Sequence, residues 1–236
     1  MGASASKAKL ATPLPDEAVR APQDAADLLR RVTFVEQCLA SSLTGDAATH
    51  VAAASAPWTN HQVLYAETDV GCAAADVAHV LHDLKRMPEY DPDLREAAVA
   101  DPAHGASLPR GTTAVHIALK PINGAIGARA FGTIHAAAYN VATAANGDTR
   151  RYEYVSAFTD AGRAVATAPG HVRGTCHAYG FTVRELPGGT PRSRVGCVMC
   201  FDLGGWLPNS LADKGGPAMQ HLLANLVKVC EAGDRP

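Results

Sequence analysis

The sequence predicts an α+β domain, a curved antiparallel sheet packed against helices with a hollow between sheet and closing helix. Three observations predict it. An amphipathic helical pattern begins at Asp24, six strand-like segments follow one another between 95 and 203, and a second amphipathic pattern closes the chain over 217–231. Strands in a run, with helices segregated around them, give antiparallel sheets covered by helices. A bent sheet under a helix leaves a natural place for an apolar ligand.

Bulk composition bounds the function. A length of 236 residues suits one domain with a short tail. Hydrophobic residues at 47% against 19% charged support a substantial core. A net charge of -2 supplies no basic field, so no nucleic-acid partner is expected. No window approaches the ~18 apolar residues that a membrane span needs, and the first residues lack a secretory pattern. The six cysteines are scattered apart from one C-x-x-C at 197–200. That usage predicts reduced thiols and a cytoplasmic protein.

Taken in order, residues 1–22 hold three prolines and little periodicity, and read as a flexible tether. Their start, "MGASASKAKL", fits an N-myristoylation signal, with Gly2 exposed once Met1 is removed and Ser6 four positions later. One such chain binds membranes only marginally. Lys7 and Lys9 add a weak second attraction to a membrane surface. A tether of this length reaches about 25 Å. The domain itself is expected over 23–236.

Leu28, Val32, Val35 and Leu39 form one stripe of the first helix, which Gly45 is expected to end. The stretches 49–58 and 60–70 read as extended. Val77, Val80, Leu81 and Leu84 share a face of a helix over 73–84, and Pro88 and Pro92 break the chain into a turn after it. Strands are expected near 95–100, 111–120, 129–139, 150–158, 171–184 and 193–203. "TAANGDT" at 143–149 and "LPGGTPRS" at 186–193 supply turns. In the last helix Met219, Leu222, Leu223, Leu226, Val229 and Cys230 make one apolar face.

Catalytic signatures are missing from the chain. It has no nucleophile elbow, no H-E-x-x-H, no phosphate loop and no dinucleotide fingerprint. Residues three apart on a strand point to opposite faces. Cys197 and Cys200 therefore do not share a metal, and neither metal nor cofactor is expected.

Several segments resemble the START (steroidogenic acute regulatory protein-related lipid transfer) domains. "DLGGWLPNSL" at 202–211 is similar to the family's Asp-Leu-x-Gly-x-Leu-Pro before its C-terminal lid helix. "HVRGTCHAYGFTVRELPGGTPRSRVGCVMCFDL" at 171–203 resembles the two preceding strands. "RAF" at 129–131 stands where the family has Arg-Asp-Phe, with Ala130 replacing the acid. Trp58 and "DLKRMPEYDPDL" at 83–94 match an early Trp and a helix-turn element. The resemblance spans about residues 25–231. It implies a helix-grip fold, in which the C-terminal helix closes a cavity in the curved sheet, and a lipid-binding and transfer function without catalysis.

The resemblance also implies a site. Cholesterol-type members place an acid and an Arg in the cavity, and counting from Arg129 and Phe131 puts His116 and His135 at those positions. Alternation argues otherwise for His116. Val115, Ile117 and Leu119 share one face of their strand and His116 takes the other, unless a bulge intervenes. The expected lipid contacts are His116, His135, Arg173, Met199, Phe201, Trp206, Met219, Leu222, Leu223 and Leu226. Trp206 and Leu207 would pack by the hinge of the lid. The expected partners are a lipid of the sterol, phospholipid or sphingolipid class and a membrane surface. Two alternatives stay open. One is an enzyme on the same hollow, a cyclase or hydrolase using His116, His135 and Asp202 as acid–base groups. The other is a myristoylated scaffold whose hollow is filled.

Overall fold

The computed structural model describes residues 22–43, 51–56, 58–121, 127–145, 148–167, 169–205 and 215–233. Residues 1–21, which carry Gly2 and nearly all of the expected tether, lie outside the described residues, as do Trp206 and Leu207.

The first helix, α1 (Ala25–Leu39), starts at Asp24, whose side chain accepts from the Asp27 amide at 2.8 Å. A cap of this kind stabilises a helix start by about 1 kcal/mol. The helix ends well before Gly45, in a 3-10 turn over Ala40–Ser42. Next come β1 (Ala52–Ala56), β2 (Thr59–Val70), α2 (Ala74–His82) and the single-turn α3 (Met87–Tyr90). Then follow β3 (Leu94–Val99), β4 (Thr113–Leu119), β5 (Arg129–Ala145), β6 (Asp148–Asp160), β7 (Val172–Arg173), β8 (Thr175–Glu185), β9 (Ser193–Asp202) and α4 (Gly215–Glu231).

The nine strands among the described residues form one curved sheet in the order β1-β2-β9-β8-β6-β5-β4-β3, antiparallel throughout except for the short β7, which runs parallel to β5. The single strand expected over 171–184 is thus two. Gly174 divides them where the Phe131 ring and the Asp202 carbonyl crowd the chain; an added Cβ would come within 2.3 Å of the ring. This is the α+β helix-grip architecture.

Both faces of the sheet are covered. Leu28, Val32, Val35 and Leu39 of α1 pack with Tyr65, Ile134, Val155, Val198 and Cys200 on one face. On the other, α2, α3 and α4 pack with Ile117, Phe131, Phe158, Tyr179, Phe181 and Cys197. Cys197 and Cys200 lie in opposite cores, as alternation requires. Each fully buried large apolar side chain contributes about 1.5–3 kcal/mol. A buried ion network fixes α1 on its face. Glu36 is fully buried, and both Arg150 and Arg184 reach its Oε1 at 3.3 Å.

Candidate functional site

The candidate site is the sheet face opposite α1. Strand parity puts an aromatic wall there. Phe131 and His135 come from β5, Phe158 from β6, Tyr179 and Phe181 from β8, and Phe201 from β9. The rings touch in sequence, with centroids 5.0 Å apart for Phe131–Phe201, 5.4 Å for Phe201–Tyr179, 5.5 Å for Tyr179–Phe158 and 4.3 Å for Phe158–His135. Tyr90 of α3 meets Phe181 edge-on at 6.0 Å. Such contacts contribute roughly 0.5–1.5 kcal/mol each beyond area burial. Met219, Leu222, Leu223 and Leu226 of α4 are buried in the same core, and Met199 and Phe201 pack against it half-exposed.

Polar atoms on this wall lack partners. The Tyr90 and Tyr179 hydroxyls and His135 Nε2 are all buried with no hydrogen bond among the described residues. Each such group costs about 1–3 kcal/mol unless something satisfies it. Burial pushes both phenols well above their ordinary pKa. It pulls His135 down to about 4, with His82 adding to the effect, so the imidazole is neutral at pH 7. Asp91 follows Tyr90 in sequence, and burial raises it to about 6. Its charge bears on Tyr90, Tyr179 and Cys197 alike.

Cations are turned elsewhere. Among the described residues the only buried Arg or Lys is Arg129. It donates to the carbonyls of Gly127, Leu203 and Gly204, strapping the end of β9. There Asp202 Oδ1 accepts from the Gly204 amide at 2.9 Å. Gly204 has φ 65°, and a Cβ on it would come within 2.2 Å of the Arg173 carbonyl. Only glycine fits that turn.

The other expected contacts divide. His116 is flanked by Val115 and Ile117, both in the core of the aromatic wall, so it faces away from that wall. Its Nδ1 lies 3.7 Å from Glu96 Oε1, and the β4–β5 register runs from Thr113 to Ala118 without a bulge. Alternation, not the count from Arg129, describes this strand. Arg173 spends its guanidinium on the carbonyls of Val165 and Gly162, Thr167 Oγ1 and Asp160 Oδ1, which pins the turn after β6. The groups an acid–base reading needs are not brought together. His135 lies on the aromatic wall, His116 on the opposite face, and Asp202 beside His61, whose Nε2 is 3.6 Å from its Oδ2.

Tyr90, Asp91, Phe158 and Tyr179 complete the wall and were not singled out from sequence. The alternation of Tyr179, Phe181 and Val183 along β8 carried the signal for Tyr179. Tyr90 and Asp91 sit in the Pro-flanked segment 87–94, where periodicity is silent and only the packing of α3 shows which way a side chain points.

Known proteins share this fold. The family model for the START domain matches residues 40–231. Human StAR-related lipid transfer protein 5 has a similar structure, with a TM-score of 0.62 at 16% identity, over 77% of this chain and 81% of that one. Human STARD10 has a TM-score of 0.60 at 15% identity, over 93% and 85% of the two chains. A STAR-related lipid transfer protein from Xanthomonas axonopodis, fragment 25-204, has 0.55 at 15%, over 77% and 92%. At such identities the structures speak for the fold alone. No curated protein matches the sequence. The family model covers most of the chain, and the chain belongs to the START domain family.

Proposed function

We propose that the protein binds and transfers a lipid between the aromatic wall and α4, and that the ligand is uncharged and carries a hydroxyl group. The observation that carries this reading is the set of buried, unpartnered polar tips on an otherwise apolar face: Tyr90, Tyr179 and His135. Apolar burial supplies the driving force, roughly 25 cal/mol per Å² removed from water. The polar tips supply orientation. Two phenols and a neutral imidazole suit a hydroxyl or carbonyl, and the Asp91 carboxylate disfavours a phosphate. A phospholipid or an anionic sphingolipid would need a cation there, and among the described residues the one buried cation is committed to carbonyls.

His135, Met199, Phe201, Met219, Leu222, Leu223 and Leu226 are the proposed contacts retained from sequence, joined by Tyr90 and Tyr179. Trp206, outside the described residues, stays a proposed contact on the sequence resemblance alone. His116 and Arg173 are assigned to the scaffold. Transfer requires α4 to move, since a ligand enclosed beneath it needs a way out. Acylation of Gly2 would hold the domain at a cytoplasmic membrane surface through the segment 1–22. The support is the sequence pattern with Lys7 and Lys9 beside it.

The test is extraction from liposomes that carry a sterol, a diacylglycerol and a phospholipid in one membrane, read by mass spectrometry of the recovered protein. Capture of an uncharged lipid is expected. Recovery of the protein without lipid from every composition would overturn the reading, and intact mass of protein from its own cells tests Gly2.

A further inference from the structure

Two cysteines meet where the last turn of α4 docks on the segment joining β2 to α2. The Cys72 thiol donates to the Cys230 carbonyl, with Sγ 3.2 Å from the oxygen. Beside it the Gly71 amide donates to Glu231 Oε1 at 3.0 Å. Cys72 is half-buried and Cys230 is 9% exposed, and both pack in the core on the α4 side of the sheet. Neither is in a disulfide. The other four cysteines are placed differently. Cys176, Cys197 and Cys200 are at most 1% exposed, and Cys38 packs with the α1 core on the opposite face. A solvent-accessible thiol and a sheltered one are thus set together by segments far apart in the chain. Burial pushes the Cys230 thiol up to about 12, with Cys72 adding to the rise and Arg86 opposing it. Cys230 therefore stays protonated, and an oxidant from solvent reacts at Cys72.

We propose that Cys72 and Cys230 form a reversible disulfide, made by hydrogen peroxide, that fastens the end of α4 to the start of α2. Peroxide oxidises the Cys72 thiol to a sulfenic acid and is itself reduced to water. The Cys230 sulfur then attacks the Cys72 sulfur. The S–S bond forms, the S–O bond breaks, and the Cys230 proton leaves with the hydroxyl as a second water. A bridge of ordinary geometry needs Cα atoms within about 7 Å of each other. The Cys72 sulfur already touches the Cys230 backbone, so rotation of the two side chains is the adjustment required. Because α4 packs on the aromatic wall, the bridge would hold that helix by its C-terminal end and slow its departure. This consequence rests on the lipid-transfer reading, whereas the bridge rests on the packing of α4 alone.

The experiment treats the full-length protein with hydrogen peroxide, blocks the remaining thiols with iodoacetamide and maps its peptides by mass spectrometry without reduction. A peptide pair joined through Cys72 and Cys230 is expected. Tm should rise by about 5 °C or more, since the bridge closes a long loop of chain, and dithiothreitol should reverse both changes. Cys72→Ser should abolish the joined pair and the rise in Tm. Cys230→Ser should leave Cys72 as a sulfenic or sulfinic acid. Absence of the joined pair in the wild type, or Cys72 joined instead to another cysteine or to a second molecule, would overturn the proposal. Lipid release from the same oxidised protein is expected to slow. A bridge that forms with release unchanged would support the redox site and count against movement of α4 in transfer.

Discussion

The His135 imidazole stacks on the Phe158 ring across the β5–β6 ladder, with centroids 4.3 Å apart and planes 25° from parallel. The contact places a titratable group in an apolar wall, and its consequence can be measured. Burial lowers the folded-state pKa from 6.5 to about 4. Above pH 6.5 both folded and unfolded chains hold the ring neutral. As pH falls below that value the unfolded chain takes up a proton that the folded chain refuses, so stability declines until about pH 4. The loss reaches about 3 kcal/mol. His135→Leu should flatten this part of the stability–pH curve, measured by urea unfolding at several pH values. Parallel curves for the two proteins would contradict the placement.

Asp91 should show the opposite sign. Its folded pKa is raised from 3.8 to about 6, so its favourable contribution is complete below pH 3.8 and lost as pH rises through 6. Asp91→Asn keeps a side-chain acceptor for the Asp93 amide, which Oδ1 now accepts at 3.1 Å. The variant should gain on the wild type as pH climbs from 4 to 7, by at most about 3 kcal/mol. A constant difference between the two across that range would place Asp91 in water.

Tyr179→Phe separates binding from folding. The hydroxyl has no partner among the described residues, so removing it should leave the lipid-free protein as stable as before or about 1 kcal/mol more stable. If the hydroxyl meets the ligand head group, lipid uptake should fall by roughly three- to tenfold. Thermal unfolding of delipidated protein and a liposome-uptake assay read the two effects. A clear loss of stability without change in uptake would assign the hydroxyl to the scaffold.

Glu36 is the anchor of α1. Removing one partner of a buried ion pair leaves uncompensated charge and costs about 3–5 kcal/mol. Arg150 and Arg184 are each about a quarter exposed, at 23% and 24%, so they recover some hydration. Glu36→Ala should therefore destabilise by about 2–3 kcal/mol in chemical denaturation. An effect below about 0.5 kcal/mol, as at ordinary surface positions, would contradict the buried network.

Elements with strong periodicity were legible in the sequence. The stripe of Leu28, Val32, Val35 and Leu39 is the buried face of α1, and the Met219–Leu222–Leu223–Leu226 face of α4 is buried as the pattern requires. Alternation in β4 placed Val115 and Ile117 inward and His116 outward, although counting from a family motif pointed the other way. What stayed hidden depends on packing at a distance. Nothing local to Arg173 announces that its guanidinium is spent on carbonyls of the turn after β6. The break at Gly174 follows from the ring of Phe131, 43 positions earlier in the chain. Tyr90 and Asp91 acquire their meaning only when a single turn of helix is laid over the sheet.

Lipid occupancy is read most plainly by native mass spectrometry of the full-length protein, released from its cells without detergent. A one-to-one complex with an uncharged, hydroxyl-bearing lipid is expected, with weaker retention of that lipid in Tyr179→Phe. A phospholipid in its place would contradict the head-group assignment, and bare protein from every preparation would contradict the lipid site altogether.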